Sequence, residues 1–314
     1  MRHVPQRRTA AGFTTGALSL GSWHTYDRMP FEETVQVLRT AVDAGITLFD
    51  VGVYGWPGQS PVFTDVIFSA AVRAAGLKRS DYQLSGKLWL EGYPEQSLRE
   101  QLERALVRAG TETADLVVLG DLRREVDLER LVGDLGELHR DGLISAWGVN
   151  NWSAGAVCEL LDIAERDGLP GPVLAQLKYS VARRSIPDGE PFAEAFARGV
   201  GLQASDVLEG GVLLGKTGRE VGRDPGGVRD RIAAAAPRLK AIAAALDATP
   251  AQLGLAFTLT HPATVTTLVG VSSLAQLAEN VGALDLLDRI GAERLRGLVA
   301  DLWADRDAVD PEGP

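Results

Sequence analysis

The chain has 314 residues, with 32 basic and 42 acidic side chains and a formal charge of −10. That sign disfavours nucleic acid or an anionic membrane surface as the main partner. A content of 45% hydrophobic and 24% charged residues excludes a disordered or collagen-like chain. The single cysteine, Cys158, excludes an intrachain disulfide and fits a reducing, cytoplasmic setting. No apolar run nears the ~18 residues of a membrane span. The N-terminal MRHVPQRRTAAGF is basic and lacks an apolar signal core.

In chain order, strand-length apolar runs alternate with amphipathic stretches. ALSLGSW (17–23) reads as a strand, and Phe31, Val35, Leu38 and Val42 then recur at helical spacing until Gly45. ITLFD (46–50) and YQLSGKL (82–88) are strands, and a helix over 95–109 carries Leu98, Leu102, Ala105 and Leu106. DLVVLG (115–120) precedes a helix over about 127–140. ISAWGV (144–149) leads into a helix over 153–167 with Ser153 as N-cap. PVLAQL (172–177) and VGLQAS (200–205) are strands, followed by an Ala-rich helix over about 229–246. A short helix near 250–260, the strand TVTTLVG (264–270) and two helices close the chain.

Eight strand–helix units without a composition break predict an α/β fold with a parallel sheet, and within ~300 residues a closed (β/α)8 TIM barrel. The expected organisation is a single domain, 1–314, with a lead-in segment at 1–16 and extra C-terminal helices. The Gly- and charge-rich stretch 211–228 reads as a long loop after the seventh strand. No GxGxxG follows an early strand, which argues against a dinucleotide-binding doubly wound sheet.

A barrel places its chemistry at the C-terminal ends of its strands. Those positions hold Ser22, Trp23 and His24, then Asp50 and Tyr54, then Lys87 and Gly120. Asn150, Asn151, Gln176, Tyr179, Ser205, Asp206 and the segment from Gly270 to Ser273 complete the set. Asp50, Tyr54 and Lys87 are the catalytic candidates. A lysine beside a tyrosine lowers the phenol pKa, and a paired aspartate keeps that lysine charged and oriented.

These residues lie in segments that resemble the aldo-keto reductases, in particular the branch of the potassium-channel β-subunits and their bacterial relatives. GITLFDVGVYG (45–55) is similar to GxxxFDTAxxYG, SGKLW (85–89) to the lysine-bearing strand, and AWGVNNWS (146–153) to WGVSNWS. GGVLLGK (210–216) resembles the start of the loop after the seventh strand, and VGVSSLAQLAENVGAL (269–284) the adenosine-phosphate segment. The resemblance covers about residues 17 to 288. It implies NADPH-dependent reduction of a carbonyl, with Tyr54 as proton donor, Lys87 lowering its pKa and Asp50 holding Lys87. It also implies that Asn151 and Gln176 bind the nicotinamide carboxamide. Lys216, Ser272, Ser273, Gln276, Glu279 and Asn280 would hold phosphates, ribose and adenine. Ser22, Trp23, Asp50, Asn150, Ser205, Gly210, Gly211 and Gly270 would complete the cofactor surface.

Three departures stand out. Gly120 occupies the place of a histidine in DLxxxHxPD, so an open volume is expected there and, with it, a bulky or unusual substrate. Ser205 aligns with the ring that stacks on nicotinamide, beside Asp206 where serine is usual. Asn150 replaces a serine. Around the expected gap, His24, Trp56, Trp89, Gly120 and Trp152 are the substrate candidates, with the tryptophans on one rim. The plainer readings are a rim His24 without a role, solvated loop charges at Asp206 and Glu209, and surface arginines at Arg183 and Arg184. His139 and His261 read as structural, and no metal-ligand spacing occurs.

The leading expectation is therefore an NADPH-dependent oxidoreductase acting on a polar C=O, C=N or conjugated C=C of a small, bulky, sugar- or secondary-metabolite-type molecule. The alternatives are a non-redox acid/base enzyme on the same barrel, or an NADPH-binding sensor or scaffold with slow turnover. The expected partner is a small molecule, with no nucleic acid and no membrane. The chain could be a monomer or a homo-oligomer.

Overall fold

The computed structural model describes residues 1–55, 60–216 and 224–313. In chain order the elements begin with β1 (Gln6–Arg8), β2 (Thr14–Gly16), β3 (Leu18–Gly21), α1 (Phe31–Asp43), β4 (Leu48–Val51), β5 (Val53–Tyr54), β6 (Val62–Phe63) and α2 (Thr64–Ala74). Then come β7 (Gln83–Leu88), α3 (Leu98–Ala109), β8 (Ala114–Leu119), α4 (Leu128–Arg140), β9 (Ile144–Asn150), α5 (Ala154–Asp167), β10 (Leu174–Lys178) and α6 (Glu190–Ala197). The chain continues through β11 (Gly201–Ser205), α7 (Arg229–Ala245), α8 (Pro250–Thr258), β12 (Thr264–Val269), α9 (Leu274–Ile290) and α10 (Ala292–Leu298).

Strands β3, β4, β7, β8, β9, β10, β11 and β12 close into a parallel barrel, in chain order, as the alternating pattern predicts. Closure comes from β12 on β3, with Thr267 opposite Leu18 and Val269 opposite Leu20. Leu48, Leu116, Val118, Ala146, Leu174 and Val265, drawn from five strands, form a separate apolar cluster with Phe13. Only the barrel interior brings those strands together. Phe13 belongs to the turn between β1 and β2, so the lead-in segment is an antiparallel hairpin rather than a simple tail.

Helix starts follow local capping chemistry. Ser97, Asp127, Ser153 and Thr249 each accept a hydrogen bond from the backbone N–H three residues on. Helix α2, the hairpin β5–β6 and α6 were not read from the sequence. Helix α2 begins directly after a strand of two residues, and α6 spans only eight, too short for a periodicity. The predicted loop 211–228 falls partly on residues 217–223, outside the described set. No helix among the described residues is long and apolar enough to cross a membrane.

Candidate active site

The floor of the site is a buried polar layer at the C-terminal ends of β4, β7, β10 and β11. Asp50 is 2% exposed and Lys87 9%. Lys87 Nζ lies 3.7 Å from Asp50 Oδ2 and donates a hydrogen bond to Gln176 Oε1. Ser85 Oγ donates to Asp50 Oδ1 at 3.3 Å. Gln176 Nε2 donates to Gln203 Oε1 at 2.7 Å and to Asp50 Oδ2 at 3.4 Å. Gln176 and Gln203 are register partners, so parallel pairing sets their amides side by side. Burial pushes the Lys87 pKa below its ordinary value, and the charges of Asp50 and then Asp121 oppose that shift.

Tyr54 stands above this floor. A Cβ built on Gly52 would lie 3.2 Å from Lys87 Cβ and 3.5 Å from Tyr54 Cζ. A glycine there lets both side chains pack on one backbone segment. Thr64, the first residue of α2, donates to the Gly52 carbonyl at 2.7 Å and accepts from the Gly52 N–H at 3.2 Å. Its one proton is thereby spent, so Ser22 Oγ is the donor across their 2.7 Å contact. Thr64 is a positioning residue that escaped the sequence reading together with its helix. The Asp50–Tyr54 offset is four residues, one fewer than in FDTAxxYG. Burial and then the Asp50 charge hold the Tyr54 phenol well above its ordinary pKa. The net shift is thus opposite to the lowering expected beside Lys87, whose ammonium donates to Gln176.

The rim differs from expectation in two places. Gly120 leaves no gap: a Cβ there would lie 2.6 Å from Trp89 Cε3 and 3.1 Å from Trp89 Cζ3. The Trp89 backbone is clamped by Gln101, whose Oε1 accepts from its N–H at 2.8 Å and whose Nε2 donates to its carbonyl at 2.9 Å. Trp152 is 0% exposed and donates its indole N–H to the Gly120 carbonyl at 2.8 Å. It is a core ring that fixes the end of β8, not a rim residue. Trp23 stacks on Tyr54 with centroids 6.2 Å apart, and Trp89 meets Tyr54 edge-on at the same distance. His24 lies 4.6 Å from the Trp23 ring. Its Nδ1 is 2.7 Å from an Arg28 nitrogen that can only donate, so the ring proton sits on Nε2. Trp56 lies outside the described residues.

Just after β8 the sequence reading missed a carboxylate. Asp121, directly after Gly120, is 7% exposed. Its Oδ1 accepts from Asn150 Nδ2 at 2.5 Å and Asn151 Nδ2 at 3.3 Å, and its Oδ2 from Arg123 at 3.2 Å. Asn151 has φ +52°, a left-handed conformation that asparagine tolerates. Its N–H donates to the Gln176 carbonyl at 2.8 Å. The sequence signal for Asp121 was its place at a strand's C-terminal end.

The far side of the mouth carries the loops after β11 and β12. Ser205 ends β11 and offers no ring, and next to it Asp206 pairs with the buried Lys178 at 2.7 Å. Gly210 and Gly211 have φ of +65° and +96°. A Cβ on Gly211 would press on Lys216 Cδ at 3.1 Å, and Lys216 itself is exposed. Gly270 precedes the first turn of α9, where Ser273 Oγ accepts from the Gln276 N–H. Ser272 donates through both its N–H and its hydroxyl to Gln276 Oε1. Glu279 is half-buried and Asn280 buried on the same helix. Glu209 is not a solvated loop charge, nor are Arg183 and Arg184 surface residues. Arg183 is buried against Glu209 at 3.1 Å and reaches Asp224 at 2.7 Å. Burial pushes the Glu209 carboxyl pKa up, against the pull of Arg183. Arg184 donates to the Val181 and Val299 carbonyls and lies 4.4 Å from the Phe257 ring. Among the described residues no cluster of His, Cys, Asp or Glu could hold a metal.

Three comparisons bear on this geometry. The model of the Aldo/keto reductase family matches residues 17–295. A Schizosaccharomyces pombe protein named for a voltage-gated potassium channel β-subunit is 28% identical, over 94% of this chain and 92% of its own. A similarly named rice protein is 26% identical, over 90% of this chain and 92% of its own. The fold matches that of an aldo-keto reductase from Klebsiella pneumoniae, crystallised in complex with NADPH, with a TM-score of 0.76. That match has 20% identity and covers 98% of this chain and 99% of the other. The family match spans most of the chain and includes every strand of the barrel: the chain belongs to the aldo/keto reductase family of oxidoreductases.

Proposed function

We propose that the chain is an NADPH-dependent reductase of a polar C=O, C=N or conjugated C=C bond in a small molecule, with Tyr54 as proton donor. One observation carries this reading: a phenol held protonated and the stem of Lys87 both reach the place of a Cβ on Gly52, beside the buried Asp50–Lys87 pair. Such a phenol is a proton source across the neutral range.

The donor set suits a dinucleotide phosphate. Lys216 is an exposed cation, and Ser272, Ser273 and Gln276 crowd the N-terminus of a 17-residue helix, whose free N–H groups favour an anion. Gly210 and Gly211 give the loop before Lys216 its tight path, and Gly270, Glu279 and Asn280 flank the same helix end. Asn150 and Asn151 present amides at the other end, where Ser22 and Trp23 follow β3 and Ser205 ends β11, while the Gln176 amide is held by Lys87, Gln203 and Asp50. That the Klebsiella pneumoniae protein of this fold binds NADPH supports the assignment. Bound NADPH would supply the hydride. Tyr54 donates its proton to the developing oxyanion or nitrogen anion. Lys87 and Asp50 keep a positive and a negative charge buried beneath it, so the phenolate left behind has an ammonium to draw on. Trp23 and Trp89 wall the phenol with aromatic surface. A flat substrate fits that wall better than the bulky one a gap at Gly120 would admit.

Replacing Tyr54 by Phe tests the assignment. Turnover of NADPH-dependent reduction should fall by about 10²–10⁴-fold, with NADPH affinity within about twofold. Unchanged turnover would remove Tyr54 from the chemistry.

A further inference from the structure

The proposed reaction leaves one buried carboxylate of the mouth unused. We propose that Asp121 is a positioning residue that turns the amides of Asn150 and Asn151, so that their carbonyl oxygens face the ligand. The ligand group this selects is one with N–H donors, a primary carboxamide. The inference rests on the reading of Asn151 as a contact to the nicotinamide carboxamide.

A carboxylate can only accept, so the amide ends that meet Asp121 must be the N–H ends. Both asparagines reach the same oxygen, at 2.5 Å and 3.3 Å. The second oxygen accepts from Arg123, which fixes the plane of the carboxylate. The backbone of Asn151 is held by its φ of +52° and by its N–H bond to the Gln176 carbonyl. With the backbone held, the bond to Asp121 sets which end of the Asn151 amide faces the carboxylate. An amide turned the other way would leave the NH2 end of a carboxamide without an acceptor. Gln176 cannot take over the task, since its Oε1 is engaged by Lys87 and its Nε2 by Gln203 and Asp50. Asp121 sits on the loop after β8 and is 7% exposed, so its orientation comes from the protein rather than from solvent.

The test compares binding of NADPH with binding of its reduced 3-acetylpyridine analogue, in which a methyl group replaces the carboxamide NH2. Dissociation constants come from calorimetry on the whole protein, without substrate. The wild type should favour NADPH by about tenfold, the value of one hydrogen bond. In Asp121→Ala that preference should shrink to about twofold or less, mostly through weaker NADPH binding. Asp121→Asn, of the same shape but able to present either end of its amide, is read the same way if the alanine variant does not fold. An undiminished preference in a folded variant overturns the proposal, as does an equal weakening of both ligands. A wild type without preference overturns it too. A wild type that binds neither nucleotide defeats the reductase reading on which the proposal stands, and is told apart by that double loss.

Discussion

Trp89 occupies the space beside Gly120 from which any larger side chain at that position would have to grow, with Cε3 2.6 Å from the place of a Cβ. The missing histidine is thus not a void but a volume refilled from the neighbouring strand end. Gly120→His should lose about 1–3 kcal/mol of stability through overpacking. Gly120→His combined with Trp89→Ala should recover most of it. Urea denaturation of the three variants decides the matter. A single Gly120→His variant as stable as the wild type would show that Trp89 gives way freely.

The alkaline limb of activity should belong to Lys87 rather than Tyr54. Burial favours the neutral amine, so the ammonium is lost below its ordinary 10.5. Burial and Asp50 move the phenol the other way, well above 10.0. As pH rises, kcat/KM should therefore fall before Tyr54 titrates. Lys87→Arg keeps its charge at every accessible pH, and in any residual activity the limb should move upward. A limb at or above 10.5, or one that stays in place in the variant, would contradict this assignment.

Arg183 ties the start of the loop after β11, at Glu209, to Asp224 near its end. Arg183→Met would leave the Glu209 carboxylate buried and unpaired, at a cost of about 3–5 kcal/mol. Arg183→Met with Glu209→Leu should regain most of that loss, because both charges go together. Equilibrium unfolding measures both. A loss below about 1 kcal/mol in the single variant would mean that Glu209 finds water or another partner.

The barrel was legible because eight apolar runs alternate with amphipathic stretches at a spacing that only parallel βα units satisfy. Asp50, Lys87 and Gln176 were legible by place, since strand ends point at the mouth. What the sequence hides is which neighbour fills a missing side chain. Gly120 reads as a hole until Trp89, 31 residues earlier, is seen against it. The exposure of charges is hidden in the same way: Arg183 and Glu209 lie 26 residues apart and are buried only because each has the other. Thr64 was lost because α2 follows a two-residue strand and gives no clear start. The direction of the Tyr54 shift follows from its burial and the charge of Asp50, and no spacing records how deeply a side chain is covered.

The most direct test of the account is a fluorescence titration of the whole protein with NADPH, beside NADH. The account predicts saturable binding that favours NADPH, carried by Lys216 and the first turn of α9, and preserved in Tyr54→Phe. Absence of binding by either nucleotide would contradict it, and would shift Asp50, Tyr54 and Lys87 to acid/base chemistry without redox.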